Sequence, residues 1–525
     1  MGFMQKLKNV LNHEYNTSVT ENGALGYRTA GKALLDLNFA VSSLRNASRE
    51  EIINRFVKAY YEDSLLAVKW LFFAGDVRQG LGERRLFQTL FIYLAENHIE
   101  SARALMPLIP EYVRWDIVVS LISTPLANEA VSVLAKQLTA DRSNMENNAP
   151  ISLCAKWLPS ENASAKQTKY SARILAKKLS MTAREYRQML SAFRKYLNIT
   201  EVMMSSGKWS DIQYEAVPAK ANLSYNKAFL RNDEERRRSF LESVKQGERQ
   251  IHADVLFPHD IVHSYQAFSE VKADRSGIHV IRHIQPLDTT LEELWRSLPD
   301  YVQGAGNTLC IADGSFSMLS RIGKTNLSCL DVANALAIYF SERCTGAFKD
   351  CYISFSQNPQ LVDLSKRQSL HDKIEIALHY NEAANTNLEA VFELILLTAV
   401  KNHMKQADLP ANLLILSDME FDSAAKRRVE NTWIAPDETL FETFAKRYSQ
   451  YGYRLPRLIF WNICSRTGTI PVRENALGVA LVSGFSPIIA KMVLSGEVDP
   501  YHLLTEQLAL PRCDAVEQAV KKLIT

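Results

Sequence analysis

The chain has 525 residues, 47% of them hydrophobic and 23% charged, with a formal net charge of +3. That length exceeds one ordinary domain and allows two or three, each with its own core. Near-neutrality excludes a globally basic nucleic-acid binder, so any such surface must be local. The seven scattered Cys show no Cys-x-x-Cys or Cys/His zinc spacing and read as buried free thiols of a reducing compartment. Met1 to Ala40 holds no long apolar core, and nowhere do about 18 uncharged apolar residues run together, so a soluble, cytosolic protein without a membrane span is expected.

From Leu44 to Leu138 apolar residues recur at helical spacing, and Leu86, Phe87, Leu90, Phe91 and Leu94 would line one buried face. Breaks fall at Gly75, Gly80, Gly82, Pro107 and Pro110; Ser48 and Glu51 have capping-box spacing, and Asp141 would suit a helix start. Helices on short loops predict paired helices in a curved solenoid. The Gly75–Arg85 stretch mixes glycines with charges. It reads either as a helix connection with surface ion pairs, or as an approach site for phosphate, where Gly removes side chains and Arg supplies forked donors. Trp115 and Trp157 mark corners that read first as packed turns and second as base-stacking platforms.

Between Ala165 and Gln250 basic residues outnumber acids. Lys166, Lys169, Arg173 and Lys177 fall at steps of three and four on one helical face, and Arg184, Arg187 and Arg194 follow. A solvated face and a nucleic-acid surface are both compatible with that pattern. Glu234 and Glu235 beside Arg236–Arg238 suggest local pairing there.

The pattern changes between Tyr265 and Pro299, and a boundary is expected near Pro286, dividing a helical domain (1–285) from an alternating strand and helix domain (286–525). Short apolar runs at Thr308–Ala312, Cys351–Phe355, Leu413–Leu416, Arg457–Asn462 and Gly478–Val482 predict a mostly parallel sheet with helices on both faces. The first run ends in Asp313, with Ser315 and Ser317 in the loop beyond it; the third leads to Asp418, and Thr386 lies in a polar loop before an apolar helix. Strand ends of this kind gather ligands, and an oxygen-only donor set suits a hard cation such as magnesium or manganese. Glu420 and Asp422 follow closely, yet no His or nucleophile is placed to work with them, so no enzyme is expected.

The pattern Asp313-x-Ser315-x-Ser317, then Thr386, then Asp418 resembles the metal-ion-dependent adhesion site of von Willebrand factor A domains, a doubly wound fold. Phe316 stands where related domains commonly carry Gly and would narrow access to the ion. The stretches Gly80–Phe87, Leu108–Tyr112, Ala155–Ser160, Phe229–Arg236, Asn385–Phe392, Ser417–Asp422 and Val482–Pro487 together resemble a family related to the Ro ribonucleoproteins (TROVE-like). That resemblance implies a HEAT-like helical solenoid or ring joined to an A domain, a monomer that binds noncoding or misfolded RNA. The competing reading is a protein-interaction module in which the ion accepts a partner's carboxylate.

Overall fold

A computed structural model of the chain describes residues 4, 15–274, 277–302, 307–380, 386–422, 427–429, 432–434, 440–473, 478–490 and 499–523. Asn385 of the predicted donor loop lies outside them. The chain divides into two compact units, residues 1–64 with 256–508 and residues 65–255 with 509–525. The chain thus changes unit after Ser64, Val255 and Leu508, whereas the sequence pattern suggested one boundary near Pro286. Helices continue across Ser64, from Arg49–Glu62 into Ser64–Gly75, so a helical pattern alone could not mark the change of unit.

The first unit is built on a six-stranded sheet: β1 (Thr308–Asp313), β2 (Cys351–Phe355), β3 (Gln360–Asp363), β4 (Asn412–Ser417), β5 (Arg457–Asn462) and β6 (Val479–Ser483). Its spatial order is β6-β5-β4-β1-β2-β3. Neighbours run parallel except β3, which is antiparallel to β2. This is the doubly wound strand order, and it reverses between β1 and β4, the position beyond whose carboxyl ends such sheets bind ligands. Every residue of β1, β4 and β6 is buried, which accounts for their uninterrupted apolar runs.

Cys329–Arg343 is buried along nearly its whole length because it packs on β1, β2 and β4 while helices Pro258–Tyr265 and Leu370–His379 cover it. Its start is fixed by a capping box, in which Asp331 N donates to Ser328 Oγ at 3.2 Å and Ser328 N to Asp331 Oδ2 at 2.9 Å. Residues near the chain start contribute a hairpin, Thr17–Val19 with Leu25–Tyr27, and helices Ala33–Phe39 and Arg49–Glu62. Ser48 caps the latter, accepting from Glu51 N at 3.2 Å, which is the N-cap half of the capping box its spacing suggested.

The second unit is helical throughout its described residues, with helices from four residues (Ile109–Tyr112) to twenty (Ala127–Glu146). The predicted face of Arg84–Asn97 is buried, and Phe87 meets Phe72 edge-on with ring centroids 5.3 Å apart. Asp141 does not start a helix. It is buried inside Ala127–Glu146, where its carboxylate accepts from Ser152 N at 2.9 Å and Ser152 Oγ at 2.7 Å. The glycines of the 75–85 stretch serve packing. A Cβ on Gly80 would stand 2.0 Å from the Phe73 carbonyl oxygen, and one on Gly75 would stand 2.4 Å from the Phe87 ring. Asp76 there is buried and paired with Arg512 at 2.7 Å. All seven cysteines are free, six of them buried.

Candidate metal and nucleic-acid sites

Parallel pairing of Ala312 with Leu416 brings the ends of β1 and β4 side by side. Asp313 therefore emerges next to Ser417, and both are fully buried. Asp313 Oδ1 accepts from Ser315 N at 2.9 Å, and Oδ2 accepts from Ser417 Oγ at 2.5 Å. The Ser315 and Ser317 hydroxyls lie 3.0 Å apart. Thr386 precedes helix Leu388–Lys401, whose start is capped by Asn387 accepting from Ala390 N at 3.1 Å. Thr386 N donates to Asp422 Oδ2 at 3.2 Å and Thr386 O accepts from Asp422 N at 3.0 Å. The segment carrying Asp418 is thereby laced to the one carrying Thr386; Asp313, Ser315 and Ser317 are linked by hydrogen bonds, while Thr386 joins through its backbone contacts with Asp422.

Its electrostatics are unfavourable to two bare carboxylates. Burial pushes the Asp313 carboxyl above its ordinary range, and the nearby charge of Asp422 adds to that. Burial raises Asp418 too, with the Asp313 charge next. Asp418 Oδ1 accepts from Glu420 N at 3.3 Å, while Oδ2 has no hydrogen-bond partner among the described residues. Arg466 Nη2 lies 3.6 Å from it. All-oxygen chemistry, paired buried carboxylates and an orphaned buried oxygen fit a hard divalent cation. Phe316 beside the cluster is 52% exposed.

Sequence reading singled out Glu420 and missed two other residues that border the cluster, Arg466 and Glu21. Glu420 is buried, and its Oε1 accepts from Arg466 N at 2.8 Å, Thr467 N at 2.9 Å and Ser465 Oγ at 3.1 Å. Its Oε2 accepts from Glu21 N at 2.9 Å. Glu420 thus positions the 465–467 loop and the N-terminal hairpin, and is not a second acid–base pair with Asp422. The Asn22-Gly23 dipeptide between two short apolar runs was a hairpin signal, although nothing in it says where the hairpin docks.

The seven predicted cationic contacts divide. Lys166, Arg173 and Lys177 are exposed on helix Lys166–Lys178, Lys169 is half-buried, and Ala172, Leu175 and Ala176 face the interior. Tyr170, 61% exposed, lies in the same stripe at helical spacing. Arg184 is exposed on the next helix, Ala183–Tyr196. Among the described residues no ion pair engages any of these five side chains, whereas Arg187 faces Glu161 at 3.5 Å. Arg194 does not belong with them. Its guanidinium donates to the Ala155 carbonyl at 2.9 Å, the Leu158 carbonyl at 2.7 Å and Ser160 Oγ at 2.6 Å, so it holds the 155–160 turn. Burial lowers its pKa.

Further along, Arg236 pairs with Asp233 at 2.9 Å and Arg238 with Glu234 at 2.8 Å. Arg237 is buried among Tyr214, Phe229 and Phe240. The expected local pairing accounts for that segment. Trp115 is buried, and Trp157 carries the Arg114 guanidinium 3.7 Å from its ring centre.

These features define a two-unit protein: a doubly wound sheet with buried acids and hydroxyls where its strand order reverses, and a helical unit with a cationic stripe that no ion pair engages among the described residues. The chain belongs to the family described as Domain of unknown function (DUF2828), which matches residues 20–111 and 126–307. Residues 307–518 match a second family, Domain of unknown function (DUF7788). Among curated proteins, Uncharacterized protein L728 of Acanthamoeba polyphaga mimivirus is 26% identical over 522 residues, covering 92% of this chain and 85% of its own. Among solved structures, the RO (RSR) protein of Deinococcus radiodurans aligns at a TM-score of 0.39 and 12% identity, over 89% of this chain and 92% of that one. A likeness at that score carries no functional inference. No described helix is long and apolar enough to cross a membrane.

Proposed function

We propose that the chain is a Ro-like RNA-binding scaffold: its helical unit holds noncoding or misfolded RNA by the phosphates, and its sheet unit is a von Willebrand factor A-type domain holding magnesium or manganese. The observation that carries the RNA half is the exposed stripe of Lys166, Tyr170, Arg173 and Lys177, an exposed aromatic ring among cations that no ion pair engages among the described residues. Cations of this kind bind phosphate by releasing counterions, and an exposed ring offers a face to an unpaired base. Asp313, Ser315, Ser317, Thr386 and Asp418 would hold the ion, which when bound supplies two positive charges and open coordination positions. The reading assigns no catalytic chemistry. It is tested by recovering RNA from purified protein with nuclease controls and by titrating unrelated RNAs at two salt concentrations. Absence of salt-sensitive binding at low micromolar protein in about 50 mM salt, where phosphate contacts are strong, would end it.

A second reading rests on the orphaned Asp418 oxygen. In it the ion takes a partner's carboxylate and the helical unit is a docking surface, so binding requires the ion and ignores the cationic stripe.

A further inference from the structure

Resting on the reading of the five oxygen donors as an ion site, we infer that Glu21 is the chain's own ligand for the open face of that ion, carried there by the N-terminal hairpin and held in reserve by Arg466. The hairpin is seated on both flanks. Thr20 Oγ1 donates to the Phe421 carbonyl at 2.6 Å, and Tyr27 and Ile470 exchange backbone hydrogen bonds of 2.8 Å each way. A Cβ on Gly26 would stand 2.5 Å from the Thr469 methyl and 2.8 Å from the Ile470 carbonyl oxygen, so only glycine allows that approach.

The turn between the strands lies on the segments that carry the donors. Asn22 Nδ2 donates to Thr386 Oγ1 at 3.3 Å and to the Glu420 carbonyl at 2.7 Å, and Gly23 bridges Asp422. Glu21 N is tied to buried Glu420 at 2.9 Å. Its backbone is therefore fixed, while its side chain remains 57% exposed.

One guanidinium nitrogen stands between this carboxylate and the cluster. Arg466 Nη2 is 2.5 Å from Glu21 Oε2 and 3.6 Å from Asp418 Oδ2. The other terminal nitrogen, Nη1, donates to Ser320 Oγ at 3.2 Å. Arg466 thus supplies a single positive charge at the mouth of a site built for two. A dication among the five donors repels the guanidinium, and Glu21 becomes the anion closest to the vacated direction. Ligand oxygens of one octahedral magnesium lie about 3–4 Å apart, so rotation of an exposed side chain on an anchored backbone suffices. The ion's outward face is then self-capped, and any partner carboxylate must first displace Glu21.

Manganese alone, titrated into the full chain, tests this by calorimetric affinity and by water-proton relaxation, which counts exchangeable waters on the ion. Glu21→Gln should lower affinity about tenfold and add exchangeable water to the bound ion; added acetate should displace that water in the variant and not in the wild type. Glu21→Asp, with the charge kept at shorter reach, should fall between, and Glu50→Gln should change neither readout. Melting without metal checks that each variant is folded. If Asp418→Asn abolishes binding while Glu21→Gln alters neither affinity nor relaxation, the cap is wrong and the ion site stands. If the wild type binds no manganese, both fall.

Discussion

The Ser417 hydroxyl donates to Asp313 Oδ2 at 2.5 Å, so the residue that ends β4 satisfies the acid that ends β1. That bond leaves Asp418, with its orphaned oxygen, as the less satisfied of two buried carboxylates. Magnesium should therefore raise the melting temperature of the wild type, and Asp418→Asn should abolish the rise. Without metal, the Asn variant should melt no lower than the wild type, because one of two mutually repelling buried charges is gone. Melts in magnesium and in chelator measure both; an undiminished magnesium effect in the variant would remove Asp418 from the ligand set.

The cationic stripe makes a separate prediction. Replacing Lys166, Arg173 and Lys177 together by Glu should weaken unrelated RNAs to a similar degree and flatten the logarithmic salt slope by about two units, since each phosphate contact contributes roughly 0.7–0.9. Tyr170→Ala should cost more for single-stranded than for duplex RNA, because only unpaired bases stack freely on a side chain. Equal losses for both would leave Tyr170 a bystander.

Arg194 should behave as a structural residue. Arg194→Ala removes three hydrogen bonds to the 155–160 turn and should cost about 2–3 kcal/mol in urea unfolding. RNA affinity of the folded fraction should stay near that of the wild type. A loss of affinity without a loss of stability would return it to the RNA surface.

Acid stability of the helical unit should depend on Glu517. Hydrogen bonds from Lys521 and from Lys69, whose Nζ lies 2.6 Å away, hold the Glu517 carboxyl down to about 2. A depressed carboxyl contributes stability that is complete above its unfolded pKa of about 4.3 and is lost as pH falls toward the folded value of about 2. Glu517→Gln should remove that part of the acid dependence, shown by unfolding midpoints between pH 5 and pH 2. An unchanged profile would mean that the pair contributes nothing through this group.

Strands that end in acids were legible because a strand buried on both faces shows as an unbroken apolar run, as in Thr308–Asp313 and Asn412–Ser417. The edge strand Gln360–Asp363 was not, since it is four residues long and mostly solvent-facing, too short for alternation to register. The proposed donors could be named from strand ends and from the family pattern they resemble, but Arg466 and Glu21 could not. Their meeting depends on tertiary docking, and Arg and Glu on a surface look alike wherever they occur. Arg194 was misassigned for the same reason: a cation in a basic stretch shows its charge in the sequence, while the carbonyls it caps lie in a turn more than thirty residues earlier.

The seating of the hairpin also constrains how the protein is made. Thr20 waits for Phe421, 401 residues downstream, and Tyr27 for Ile470, later still. At about 5–20 residues per second of synthesis, the hairpin leaves the ribosome roughly 18–73 s before Thr386, 364 residues beyond Asn22 and the earliest of these partners, exists. During that interval its strand edges are unpaired, and the helices of the 65–255 insertion can form, with Asp76 and Lys69 still waiting for Arg512 and Glu517. The earliest described piece of the sheet unit is thus among the last to be locked.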